Sequence, residues 1–114
     1  MLTTRNKILI HFNTGDICTY IIKNDELHIL SEEQVFFASD SVTELLLEQI
    51  DGFLNGLEKC VGKVNNERIR LYATGLFQNF TQQDQTRLII HCFVNHGLYF
   101  NIIQPELELF YRHN

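Results

Sequence analysis

Positive charge is scarce in this chain. Nine lysines and arginines stand against fourteen aspartates and glutamates across 114 residues, a formal charge of −5, and the acids gather at 25–33, 40–51 and 106–108. A polyanion meets net repulsion from that balance. Lys59, Lys63, Arg68 and Arg70 form a loose scatter rather than the concentrated basic face that displaces counterions from a phosphate backbone. No nucleic-acid partner is expected. Long apolar runs are missing as well. No stretch approaches the ~20 apolar residues of a membrane span, and the run after Lys7 is too short for a secretory signal, so no membrane partner is expected. The three cysteines, Cys18, Cys60 and Cys92, are dispersed, with no C-x-x-C pair among them. Such a set reads as buried reduced thiols and makes a cytoplasmic location the expectation. Asn79-Phe80-Thr81 matches the glycosylation sequon, which carries no weight without export.

What is present is the material of one folded domain. An apolar fraction of 45% with 20% charged residues is ordinary for a globular chain and leaves no segment sparse enough to stay disordered. No repeat, low-complexity tract or linker divides it, so residues 1–114 are read as a single domain. The β-rich runs 8–12 and 17–22 flank Asn13-Thr14-Gly15-Asp16, whose residues favour a tight turn. Asn24-Asp25 signals a second turn, and 26–30 alternates well enough for a third strand. Residues 35–38 suit either a loop or a short helical turn.

Ser41-Val42-Thr43-Glu44 has capping-box spacing, in which a serine oxygen and a glutamate carboxylate satisfy reciprocal amides at a helix start. Val42, Leu45, Leu46, Ile50, Phe53, Leu54, Leu57 and Val61 then repeat at three- and four-residue intervals, with Glu48, Gln49, Asp51, Asn55 and Glu58 outside the stripe. This predicts an amphipathic helix covering a sheet face, ended by Gly62 and Asn65-Asn66. A strand is predicted over 68–74. Thr81, with Asp84 three residues on, caps a second helix whose inner face is Leu88, Ile89, Cys92, Phe93 and His96, and Gly97 ends it. Residues 99–103 supply another strand. After Pro105, which a first helical turn accepts, Leu107, Phe110 and Tyr111 have helical spacing; an edge strand is the alternative there. The order β-β-β-α-β-α-β-(α) predicts a mixed α/β sheet, a meander extended by two crossovers.

Five histidines invite a metal hypothesis, above all His91 and His96 around Cys92. Ligands on one helical face want a spacing of three or four residues, and five turns the imidazoles apart. No metal site is expected. His96 reads as a helix-terminal residue facing the dipole and His91 as a flank residue. Consecutive positions such as His91 and Cys92 point ~100° apart, which makes Cys92 a core thiol rather than a nucleophile with its base.

The run Ile69-Arg70-Leu71-Tyr72-Ala73-Thr74, a helix, Tyr99-Phe100-Asn101-Ile102-Ile103 and then Glu106-Leu107-Glu108-Leu109 resembles the N-terminal half-domain of the exopolyphosphatase and guanosine-pentaphosphate phosphohydrolase family. That family belongs to the actin-like, ribonuclease-H-like ATPase superfamily. Its members have a strand ending in Ala-Thr, a helix, and a strand running into a Ser-Gly-x-Glu-Glu-Ala segment. The resemblance implies a ribonuclease-H-like fold with a phosphate-binding hairpin. On it, Asn13, Thr14, Gly15 and Thr74 become the candidate phosphate-binding residues and Glu106 the candidate catalytic residue. The departures are specific. The family's first hairpin opens with an aspartate and a glycine-serine-asparagine-serine turn; His11 stands at the aspartate, Asp16 at the last serine, and Gln78 at an arginine that follows Ala-Thr. No counterpart of the family's second lobe, which supplies the opposing catalytic surface, is expected within these 114 residues.

The preferred expectation is a non-catalytic domain acting through protein association, as a homodimer or with another protein, without a cofactor. Phe36, Phe37, Phe110 and Tyr111 are the candidate interface; such apolar groups most often complete a core and form a partner patch where they are exposed. Two further readings stay open: a minimal dimeric phosphohydrolase or phosphate/nucleotide-binding module, and a small-ligand pocket between helix and sheet.

Overall fold

Strict alternation in the first strand, β1 (Lys7–Phe12), sends Ile8, Ile10 and Phe12 to one face and Leu9 and His11 to the other. A computed structural model, which describes residues 7–37, 41–61 and 69–103, shows how neighbouring strands extend those two faces. β2 (Asp16–Lys23) and β3 (Glu26–Gln34) continue antiparallel from β1, and β4 (Ile69–Ala73) and β5 (Phe100–Ile102) add in parallel on its other side. The spatial order is β3-β2-β1-β4-β5. Register aligns Phe12 with Ile17 and Ala73, and Ile10 with Thr19 and Leu71, so one face is continuous across the sheet.

The first turn is closed by the Asn13 amide donating to the Asp16 carbonyl at 2.9 Å. The second places Asn24 and Asp25 at φ 51° and 62°, the left-handed pair of a two-residue hairpin that asparagine and aspartate tolerate. β3 runs past the expected 26–30 to Gln34 because a bulge at Thr19/Tyr20 lets pairing with β2 resume.

α1 (Glu44–Val61) and α2 (Gln82–His96) lie on the Ile8-Ile10-Phe12 face. The cap of α1 is Thr43, whose hydroxyl accepts from the Leu46 amide at 3.2 Å; the Ser41–Glu44 capping box is not the one used. Glu44 turns instead to Arg87 of α2 at 2.6 Å, and Arg87 also donates to the Val42 carbonyl at 2.7 Å. Leu47 is buried where Leu45 was expected to be, because Leu47 lies one turn before Asp51 on the flank towards α2. On α2, Thr81 accepts from the Asp84 amide at 3.1 Å and Gly97 ends the helix at φ 70°, both as expected. Leu88 and Cys92 are buried, whereas Phe93 is exposed and stacks on Tyr99 with ring centroids 5.1 Å apart.

The core is aromatic at its centre. Phe12 meets Phe53, Phe77 and Phe100 at centroid distances of 5.8, 6.2 and 5.1 Å. Phe77 stands on a 3₁₀ turn, Gly75–Asn79, that sequence periodicity did not reveal. Phe37, read as either core or interface, sits edge-on to Phe77 at 5.4 Å with 6% of its surface exposed and completes the core; Phe36 is exposed. The expected helix stop at Gly62 and Asn65-Asn66 and the element after Pro105 lie outside the described residues. So do Glu106, Phe110 and Tyr111. Because Phe12 is fully buried among three rings, Phe12→Ala is expected to cost about 3–5 kcal/mol in urea unfolding; a loss below about 1 kcal/mol would contradict this packing.

Candidate functional site

β1 and β4 are parallel neighbours, so their carboxyl ends emerge side by side, the place where open α/β sheets receive ligands. This brings the turn that carries Asn13, Thr14 and Gly15 beside the end of β4 at Thr74 and Gly75. The Thr74 amide donates to the Phe12 carbonyl at 3.0 Å and carries the ladder one residue past β4. Gly75 then takes φ +67°, and a Cβ there would collide with the side-chain oxygens of Asn13 and Thr14. Conformation and close approach both demand glycine.

The polar groups of this cluster bond to one another. Thr14 Oγ1 accepts from the Leu76 amide at 3.0 Å, and Asn13 Oδ1 accepts from the Thr14 amide at 2.8 Å. Buried Thr74 has its Oγ1 2.7 Å from His11 Nε2. The His11 ring stacks on Tyr72 at 4.7 Å, 10° from parallel. Gln78 donates its amide to the Ile103 carbonyl at 2.8 Å, tying the turn after β4 to the end of β5.

A second constellation bridges the helices. Asp51 of α1 receives His91 Nε2 at 2.8 Å and His96 Nε2 at 2.7 Å, both on Oδ1, and His91 also approaches Oδ2 at 3.0 Å. Burial pushes the Asp51 carboxyl up, but hydrogen bonds from His96 and His91 and the charge of both rings outweigh it and hold the group below its ordinary value. Sequence reasoning placed Asp51 on the outer side of α1 and turned the two imidazoles apart. They do leave α2 in different directions; the acceptor sits on the other helix, between them, so both reach it. No spacing within α2 could have signalled this. Neighbouring Cys92 is a buried free thiol pushed up to about 12 by burial and by the Asp51 charge. Cys18 is likewise buried and free.

On the opposite sheet face, Leu9, His11, Cys18, Tyr20, Ile29 and Tyr72 line a broad groove of about 1090 Å³; a second hollow, of about 580 Å³, lies between α1 and the sheet beside Thr19, Phe53 and Leu57, the side on which the small-ligand reading put its pocket. The Tyr20 hydroxyl is pushed up by its hydrogen bond with Cys18 and by burial, and Tyr72 by burial, so both stay protonated at neutral pH. Among the described residues no helix is long and apolar enough to cross a membrane.

No protein-family model and no curated protein matches the chain. Solved structures do. A Ppx/GppA family member from Aquifex aeolicus is similar over 90% of this chain and 36% of its own, at 18% identity and a TM-score of 0.62. An exopolyphosphatase from Cytophaga hutchinsonii is similar over 91% and 36%, at 17% identity and 0.64. An exopolyphosphatase-like protein gives 91% and 34%, at 10% identity and 0.66. The chain has the fold of a Ppx/GppA half-domain. It is a mixed α/β fold, and it spans about a third of the length of the structures it resembles.

Two outcomes follow from the helix bridge. Asp51→Ala leaves both imidazoles without their acceptor and is expected to lower stability by about 2 kcal/mol in chemical denaturation. Cys92 is expected to resist iodoacetamide at mildly alkaline pH in the folded protein and to react once urea unfolds it; rapid labelling of the native thiol would contradict the burial described.

Proposed function

We propose that this half-domain is non-catalytic and acts through protein association, with a second copy of the chain as its partner. One observation carries the reading. At the strand ends where the family resemblance puts phosphate, the Thr14 and Thr74 hydroxyls and the Gln78 amide are engaged within the chain, and His11 and Asp16 stand where a catalytic carboxylate and a hydroxyl would be needed. Thr14 Oγ1 accepts and keeps its O–H as a donor, but a phosphate there would sit beside the Asp16 carboxylate, which repels it, with Gln78 where the family has a cation.

Support for association comes from the other end of the sheet. Among the described residues β3 is an edge strand exposed along its length, with Leu27, Ile29 and Leu30 in the open and Phe36 just beyond it. Unpaired backbone donors and acceptors next to apolar side chains are a template for strand addition. A second copy can meet it antiparallel about a two-fold axis, giving one sheet continuous across both molecules.

Sedimentation velocity is expected to show a concentration-dependent dimer that Ile29→Lys shifts to monomer, and calorimetric titration with polyphosphate or a nucleoside triphosphate is expected to give no saturable heat. Saturable binding with turnover lost in Glu106→Gln would instead establish the minimal dimeric phosphohydrolase; a monomer at all concentrations would overturn self-association.

A further inference from the structure

We infer that Asp51, His91 and His96 form a binding site for a divalent transition ion of the zinc class, joining α1 to α2. One carboxylate oxygen and two imidazole nitrogens lie within 4.8 Å of one another. Zinc holds nitrogen and carboxylate ligands at ~2.0–2.2 Å, which sets tetrahedral neighbours ~3.3 Å apart. An ion therefore enters with shifts of roughly an ångström or less in each side chain, from rotations about their own bonds. The donors sit on two helices already packed together, one in the middle of α1 and two in the last turns of α2, so their separation is preset by the fold.

Access and chemistry agree with this. Asp51 and His91 keep 31% and 22% of their side-chain surface exposed while His96 keeps 6%: the cluster opens to solvent at one side and is anchored at the other. Two nitrogen donors and a single carboxylate disfavour the hard ions Mg²⁺ and Ca²⁺, which take oxygen ligands. Asn95 stands behind His91, its Nδ2 donating to the His91 carbonyl at 2.9 Å and lying 3.3 Å from Nδ1; Nδ2 withdraws from Nδ1 when that nitrogen takes up a proton, which leaves Nε2 free to bind metal. Without metal, the Nε2–H groups donate to Asp51; on binding, each ring takes its other tautomer, the proton passing from Nε2 to Nδ1 through water. Three protein ligands leave one coordination position to water or an incoming side chain. The site does not depend on the association proposed above.

The test is titration of the untagged full chain with Co²⁺, followed by its visible d–d absorption. The expected result is one equivalent bound with the strong bands of a four-coordinate ion, displaced by Zn²⁺ and untouched by excess Mg²⁺. His91→Gln and His96→Gln each should weaken binding by more than the 10–100-fold that a merely supporting residue costs, while His28→Gln on β3 should leave it unchanged. Gln keeps a hydrogen-bond donor for Asp51, and circular dichroism checks that each variant is folded; should one unfold, the wild-type titration and Asp51→Asn decide. Absorption no stronger than the hydrated ion, bands surviving in both histidine variants, or displacement by Mg²⁺ would overturn the assignment.

Discussion

The parallel pairing of β1 with β4 is the constraint on which the rest of this molecule rests. It lays Phe12 beside Ala73 and His11 beside Tyr72, and so separates a helix-covered face from an open one. On the covered side it sets Phe12 against Phe100 and Phe77, the aromatic centre of the core. At the strand ends it brings the Asn13–Gly15 turn against Thr74 and Gly75, closely enough that only glycine fits. A parallel pair requires a long crossover, which here carries α1, and the next crossover carries α2.

The two strand-end threonines are held by the ladder and by the close approach of the turn: Thr14 Oγ1 accepts from the Leu76 amide and Thr74 Oγ1 meets His11 Nε2. The helix pair joins polar groups unrelated by sequence, which meet because two helices cross.

Much of the fold was legible because it follows from short-range physics. The turns at Asn13 and Asn24, the Thr81 cap, the Gly97 stop and the alternating strands depend on residues within a few positions of one another. The misreadings share another cause. Thr43 caps α1, and Glu44 pairs with Arg87, 43 residues away. Leu47 is buried in place of Leu45 because α2 packs on that flank. Phe37 enters the core because Phe77 stands on a turn whose shape depends on Gly75. Of the candidate site, the strand-end residues were legible through a local pattern and a family resemblance, whereas Asp51 with His91 and His96 was not.

The sequence by itself determined the element order, the mixed α/β class, the turn chemistry and the scarcity of basic charge, since each depends on local spacing or on composition. Only the tertiary structure decided that Thr14 Oγ1 meets the Leu76 amide and Thr74 Oγ1 meets His11, and that two histidines five residues apart share one aspartate. Those outcomes depend on which elements become neighbours, and side chains that diverge along one helix can converge on a group carried by another.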